Sequence, residues 1–536
     1  MAVLRLAGFA GEARAPHPMV LPEAVGVASR NQKPGRGDLR PWKQPSTVAS
    51  VPSGRATIYR MGRDVASDAN YWLSWTGVVH AIRGFDAEDT TERTYYTGDG
   101  VPKVTDNTVA LATPPYPTAW RPLGIPAPAA AMTVTTDAGT FTGATQTYYY
   151  TYTYVNDWGW ESAPAPVSLV NSRPSDATAT LSAFSTVPAG NYQINRIRIY
   201  RTQTGDSGTA EFFFLREIAI GTTTTGDDNR ALGEVIPTDG WLTPPADLSY
   251  LTTLWNGMAA GITGNAVRLC EPFTPYAWPI AYEVLPPDSK PVALATFGQA
   301  LLVLTTGRPL LVQGSSPDSM DQLPLEIEQA CIAPRSAVSM GSGVAWASED
   351  GLCWFGASGA RLLTSGLMTR EDWQALVPST IVGCMYEGLY FGSYDDGAGR
   401  KGFFIDPGNP TGIYFLDTGY SGLHFDRLRD QLYVLDGTNV KKWDAGAAMT
   451  ARFRSKLFDA PRPMNFTCAE VKADAYPVTL RLYADGALKA TKTVASATPF
   501  RLPSGYLART WQIELEGTTA VQSAAIATSM AELAQV

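Results

Sequence analysis

The sequence predicts an all-β protein, an irregular β-propeller carrying inserted and C-terminal β-sandwich, platform-like domains behind an extended Pro-rich N-terminal arm. Three observations point there. The 536 residues include 49 glycines, 39 prolines and abundant aromatic side chains, a composition that favours turns and strands. Short apolar runs recur between polar turns along most of the chain. Only one segment, Thr369 to Leu376, carries a helix start, with Thr369 as cap and Asp372 three residues on. The length suits several domains. A hydrophobic fraction of 45% excludes a disordered chain, and a net charge of −8 argues against a dedicated nucleic-acid binder.

The arm covers residues 1–50. Pro16, Pro18, Pro22, Pro34, Pro41 and Pro45 forbid long regular elements, and only Glu23 to Ser29 has room for a short helix. Such a segment buries little alone and is expected to lie across another domain or subunit. The opening residues, interrupted by Arg5 and Glu12, do not read as a signal peptide, and no apolar run is long enough to span a membrane. Residues 51–129 form a first β unit, possible propeller material, with strands at Ala56 to Arg60, Tyr71 to Trp75 and Val78 to Arg83 and a Pro-rich linker from Pro114 to Pro128.

Residues 130–245 read as an inserted Ig/fibronectin-like sandwich. Tyr148, Tyr150, Tyr152 and Tyr154 share one face by the two-residue period of a strand, and burial suits them better than base or sugar stacking. Strands Ile194 to Arg201 and Phe212 to Ile220 flank a turn at Thr204 to Gly208, and Thr222 to Asn229 is a polar break. Residues 246–448 repeat paired strands at propeller-blade spacing: Val292 to Leu304 with Leu310 to Val312, Val344 to Ala347 with Leu352 to Phe355, Gly388 to Tyr394 with Gly402 to Ile405, and Gly422 to Phe425 with Gln431 to Leu435. In residues 449–536, Val478, Leu480 and Leu482 alternate with polar neighbours, as do Trp511, Ile513 and Leu515, which predicts a sandwich with one face buried and one solvated.

Reactive patterns are scarce. The five cysteines are widely spaced without a CxxC pair and read as buried free thiols; three histidines would have to converge from distant segments to hold a metal. No nucleophile motif occurs, Gly397 to Gly402 reads as a hairpin loop rather than a phosphate loop, and the acid pairs Asp227-Asp228 and Asp395-Asp396 read as turn residues. No catalytic residue, cofactor or metal is therefore expected.

Several landmarks resemble the tail nozzle proteins of phages and prophages, the tail tubular protein B-like proteins of short-tailed phages. They are Gly8 to Pro22 with Ala28 to Asn31 and Gly37 to Pro41, Glu92 to Lys103, Trp158 to Pro164, and Phe453 to Phe458 with Pro461 to Pro463. The resemblance implies a virion structural protein of the tail tip, made in the host cytoplasm. It further implies a ring, commonly a hexamer, around a DNA exit channel below the portal adaptor, with tail fibre or needle proteins nearby. Phe9, Arg14, Pro16, Leu21, Asn31, Trp42, Tyr95, Tyr96, Trp158 and Trp160 are the candidate assembly residues. The acidic balance suits a conduit that lets phosphate slide instead of binding it. The rival readings are a receptor-binding propeller that recognises host-surface glycan and, on fold class alone, a propeller glycosidase.

Overall fold

The computed structural model describes residues 3–62, 67–204, 210–314 and 316–534. Strands take 45% of the chain and helices 4%, so the fold is all-β, an irregular propeller with sandwiches. The chain forms two compact units, one of residues 1–77, 288–311 and 323–536, the other of residues 78–287 and 312–322.

In the first unit, three of the hairpins read from the sequence have outer strands as well, and the run Val292 to Leu304, expected as one strand, is itself a hairpin turning at Gly298. Gly343–Ala347 and Leu352–Gly356 are flanked by Val338–Ser339 and Gly359–Leu362. Leu389–Asp395 and Arg400–Ile405 are flanked by Val382–Tyr386 and Tyr414–Leu416. Gly422–Asp426, Gln431–Asp436 and Asn439–Lys442 form the next sheet, and its fourth strand is Ser46–Ser50 from the arm. An unpaired edge invites association, and the arm removes one here. Pro291–Phe297 pairs with Ala300–Thr305.

The arm is more regular than its prolines suggest. Val3–Leu6 pairs with Val521–Ala527, and Ala28–Arg30 pairs antiparallel with Ala451–Arg454 while Arg30 sits parallel to Phe415. One three-residue strand thus joins the Val382–Leu416 sheet to the sheet of the C-terminal sandwich. The short helix expected over Glu23 to Ser29 does not form. The backbone there is drawn into contact instead: Val27 N donates to Arg454 O, and a Cβ on Gly26 would fall 2.4 Å from that oxygen. A helix could not approach a neighbouring strand so closely.

The C-terminal core packs Leu6, Phe9 and Leu39 of the arm with Val478, Leu480, Leu482, Trp511, Ile513 and Leu515. The expected solvated face is corrected in part. Gln512 and Glu514 are buried on the other side of their strand, because Arg454 donates to Gln512 at 2.6 Å and Arg481 to Glu514 at 2.7 Å. Long basic side chains can cover a sheet face with their stems while their charges meet an acid. The helix forms as Arg370–Gln374, with Thr369 accepting from Asp372 N. The Asp395 and Asp396 carboxylates accept from Gly397 N and Ala398 N, the turn chemistry expected of them.

Thr57–Arg60 and Trp72–Trp75 pair with each other. Beside them His424 lies between the rings of Tyr59 and Trp72, and its Nε2 accepts from Arg60 N. Burial pushes the imidazole down to about 4, with Asp426 pulling upward and Arg60 downward. The fold therefore holds neutral His424, whereas the unfolded chain takes a proton near pH 6.5. The stability that neutral His424 contributes should be lost as pH drops from about 6.5 towards 4. Replacing His424 by Gln, which can still accept from Arg60, should make the loss between pH 7 and 4.5 shallower by about 2 kcal/mol in urea titrations. Equal slopes for both proteins would refute this.

In the second unit, His80–Arg83, Thr94–Thr97, Lys103–Thr105 and Arg121–Pro122 form one sheet. His80–Arg83 therefore does not continue the Thr57–Trp75 hairpin as one meander, and the stretch read as a Pro-rich linker is stitched into the sheet by Arg121 and Pro122. The inserted module contains Thr133–Thr136, Ala179–Ser182 and Thr224–Asp227 in one sheet, Thr145–Tyr148 with Asn171–Pro174 in another, and Tyr150–Asn156, Ile194–Thr204 and Ala210–Ala219 in a third. The turn expected at Thr204 to Gly208 lies, from residue 205 on, outside the described residues. Ser249–Thr253, Ala259–Thr263, Ala266–Leu269 and Glu283–Val284 make a further blade-like sheet.

Candidate functional site

The candidate residues of the arm converge on its own docking track. Glu12 is 1% exposed and accepts from Arg14 Nε at 2.8 Å, Arg30 Nη1 at 2.5 Å and Ser29 N at 2.6 Å. A buried carboxylate requires such partners. The guanidinium groups of Arg14 and Arg30 lie 4.6 and 5.1 Å from the centre of the Phe415 ring. Arg14, Arg30 and Phe415 line a cleft of about 330 Å³ with Tyr394, Asp396 and Lys401. Arg14 N donates to Leu367 O, and Asn31 Nδ2 donates to Asp417 at 2.8 Å.

Phe9, Leu21 and Trp42 are buried against the same chain, Phe9 edge-on to Phe453 at 5.0 Å and Trp42 stacked on Phe404 at 4.8 Å. Pro16 is half-buried. Glu12 was missed by sequence reasoning; an acid flanked two residues on by Arg14, in a stretch of small residues, was the available signal.

A second group forms in the other unit. Trp160 stacks on Tyr276 at 4.5 Å and meets Trp158 edge-on at 4.9 Å, and Tyr95 lies 6.3 Å from Trp160. Trp158 is sandwiched by cations: Arg121 sits 3.9 Å from its ring centre and Arg93 4.6 Å. Arg121 is fixed in turn by Asp157 at 2.6 Å. These contacts are worth most where the rings are shielded from water. Tyr96, the neighbour of Tyr95 along the strand, points to the other face and is fully buried. The sequence placed Tyr95, Trp158 and Trp160 among the candidates but gave no sign that they meet.

The inserted module holds an ion cluster that sequence reading dismissed. Asp227 accepts from Asn229 N as a turn residue would, but it also ends the strand Thr224–Asp227 and is fully buried. Its Oδ2 accepts from Tyr150 Oη at 2.6 Å, Arg173 Nη2 at 2.8 Å and Arg201 Nη1 at 2.7 Å, while Oδ1 accepts from Asn229 N. Burial alone would raise this carboxyl, but the bonds from Tyr150 and Arg201 outweigh it and hold the group below the ordinary range. The Tyr148 ring covers both guanidiniums at 4.4 and 5.1 Å. Tyr150, Tyr152 and Tyr154 share one strand and are buried, whereas Tyr148, also buried, ends the separate strand Thr145–Tyr148, so only three of the four lie on the expected face.

Cys270, Cys331, Cys353, Cys384 and Cys468 are free and buried, and burial pushes the first four thiols up to about 12. Among the described residues no group of His, Cys, Asp and Glu could hold a metal ion, and no helix is long and apolar enough to cross a membrane.

These features define an all-β protein whose charged clusters tie sheets together. No protein-family profile and no curated protein matches the chain. Among solved structures it is similar to the extracellular domain of a protein described as a hybrid two-component system from B. thetaiotaomicron, at 8% identity and a TM-score of 0.28, over 91% of this chain and 59% of that one. The chain thus spans about three-fifths of that structure's length. It is also similar to a gluconolactonase from Xanthomonas campestris, at 10% identity and a TM-score of 0.21, over 76% of this chain and 99% of that one. An exo-β-1,3-galactanase from Phanerochaete chrysosporium follows at 6% identity and 0.19, over 90% and 99%. Likeness this slight transfers no activity to the chain.

Proposed function

We propose that the chain is a non-enzymatic structural protein of a phage tail tip, one subunit of a nozzle ring, a hexamer by its resemblance, that guides DNA out below the portal adaptor. The observation that supports this reading best is the arm. Its first 50 residues, where the resemblance is densest, are spent on joining the last blade-like sheet, the Val382–Leu416 sheet and the C-terminal sandwich into one body. A conduit that withstands the passage of a packed genome needs such cross-linking, whereas an enzyme needs a site with free reactive groups. The charge of −8 also favours release of DNA over retention. Adaptor and fibre or needle proteins are the partners this role requires.

Analytical ultracentrifugation and negative-stain imaging of the purified chain, alone and with its neighbouring tail proteins, test the proposal. Rings of uniform size with a central opening are expected. A chain that stays monomeric at high concentration and with those partners would overturn it.

A further inference from the structure

A cavity of about 450 Å³ opens within the second unit where the loop after His80–Arg83, the strand Thr94–Thr97, the Trp158–Trp160 turn and the segment after Cys270 meet. Phe85, Asp86, Arg93, Tyr95, Trp160 and Phe273 line it. Tyr95 and Trp160 are also assembly candidates of the nozzle reading, whereas Phe85, Asp86 and Phe273 have no part in it.

Phe273 is the unusual member. It is 71% exposed and has φ of 55°, a left-handed conformation that strains a bulky residue. The loop is fixed there: Phe273 N donates to Gly257 O at 2.8 Å, and a Cβ on Gly257 would fall 2.5 Å from the Phe273 ring. An exposed ring adds little to stability and a strained backbone subtracts from it, so the arrangement serves something outside the fold. A second observation comes from Arg93. Its guanidinium lies 4.6 Å from the centre of the Trp158 ring and 5.7 Å from that of Trp160, and the residue lines the cavity. A guanidinium held there brings N–H donors to the wall of the cavity.

The lining chemistry selects the ligand. Asp86 Oδ1 accepts from Glu88 N at 2.9 Å, and its carboxylate lies in the wall of the cavity. Asp89 is consumed within the loop by Thr91 and Arg93 N. Two acids against one arginine disfavour a phosphate. A ligand cation would compete with Arg93 for the same tryptophan faces. A neutral ring with apolar C–H faces and hydroxyls that both donate and accept satisfies the aromatic walls, the Asp86 oxygen and the Arg93 donor together. We propose that this cavity binds a saccharide ring, stacked on Phe273 and hydrogen-bonded by Asp86 and Arg93.

This inference is independent of ring formation and stands or falls separately from it. The full chain should be applied to an array of bacterial surface oligosaccharides, and the sugars retained should be titrated in solution with intrinsic tryptophan fluorescence as the signal. Binding that perturbs the tryptophan emission is expected. Phe273→Gly, which removes the ring and suits the backbone, should weaken it at least tenfold without lowering the urea midpoint, and Asp86→Asn should weaken it similarly. The proposal is overturned if no saccharide binds, or if both variants bind as the parent does. It is also overturned if an oligothymidylate or a lysine-rich peptide is the ligand whose affinity depends on Phe273.

Discussion

Replacing Asp227 by Asn should loosen the inserted module by about 3–5 kcal/mol, the largest single effect expected of any charge in the chain. The substituted amide could keep the bond from Tyr150, but Arg173, which is fully buried, and Arg201 would lose the charge that compensates them. Arg173 also donates to Asn171, Tyr150 and Ala177 O, so it cannot swing out to water without breaking three further bonds. The cluster ties Asn171–Pro174, Tyr150–Asn156, Ile194–Thr204 and Thr224–Asp227 together, strands of three different sheets. Hydrogen exchange is the fitting measurement because it reports local opening. Amides of these strands should exchange about 150 to 5,000 times faster, at about 1.4 kcal/mol per tenfold, while those of the C-terminal sandwich keep their rates. A change below about fivefold would show that the cluster is a surface-like pair of little weight.

Trp42→Ala is the second large effect, with an expected loss of about 3–5 kcal/mol. The indole has no exposed surface and lies among Phe404, Trp443 and Tyr386, with ring centres at 4.8, 5.7 and 6.0 Å, under the Lys33 ammonium at 4.4 Å. Its backbone bonds to Asn31 O and Met449 N would hold the arm over an empty space that neighbouring strands cannot collapse to fill. Trp42→Phe should cost far less, since Trp42 Nε1 is buried without an acceptor and its removal relieves a penalty. The experiment also separates two roles for a residue that sequence reading placed at an assembly surface. A core residue lowers the urea midpoint of the isolated chain; an interface residue leaves that midpoint alone and lowers only the fraction assembled.

Period-two patterning made the strand centres legible. Val478, Leu480 and Leu482 needed nothing but alternation, and the pairs Val344 to Ala347 with Leu352 to Phe355 and Gly422 to Phe425 with Gln431 to Leu435 announced themselves through their spacing. Strands without an apolar alternation were hidden. Thr224–Asp227 is polar throughout, and it is a strand because its last residue neutralises two arginines supplied from more than twenty residues upstream. The arm strands were hidden for a related reason. Ala28–Arg30 has no preference of its own and is extended because two other strands present free backbone groups on either side. At the candidate sites, residue types were readable but their meeting was not. Glu12 with Arg30, or Tyr95 with Trp160, depend on long-range pairing that a single sequence does not encode locally.

The pairing of residues near 3, 29 and 48 with partners near 524, 453 and 440 sets the order of events during synthesis. Residues 3–50 are made well before the strands they pair with, about 390 to 520 residues further along. Leu21, Trp42 and their neighbours must wait in water through that interval, and loops of several hundred residues close last. Folding should be slow, and a product cut short before residue 439 should leave the apolar side chains of the arm exposed.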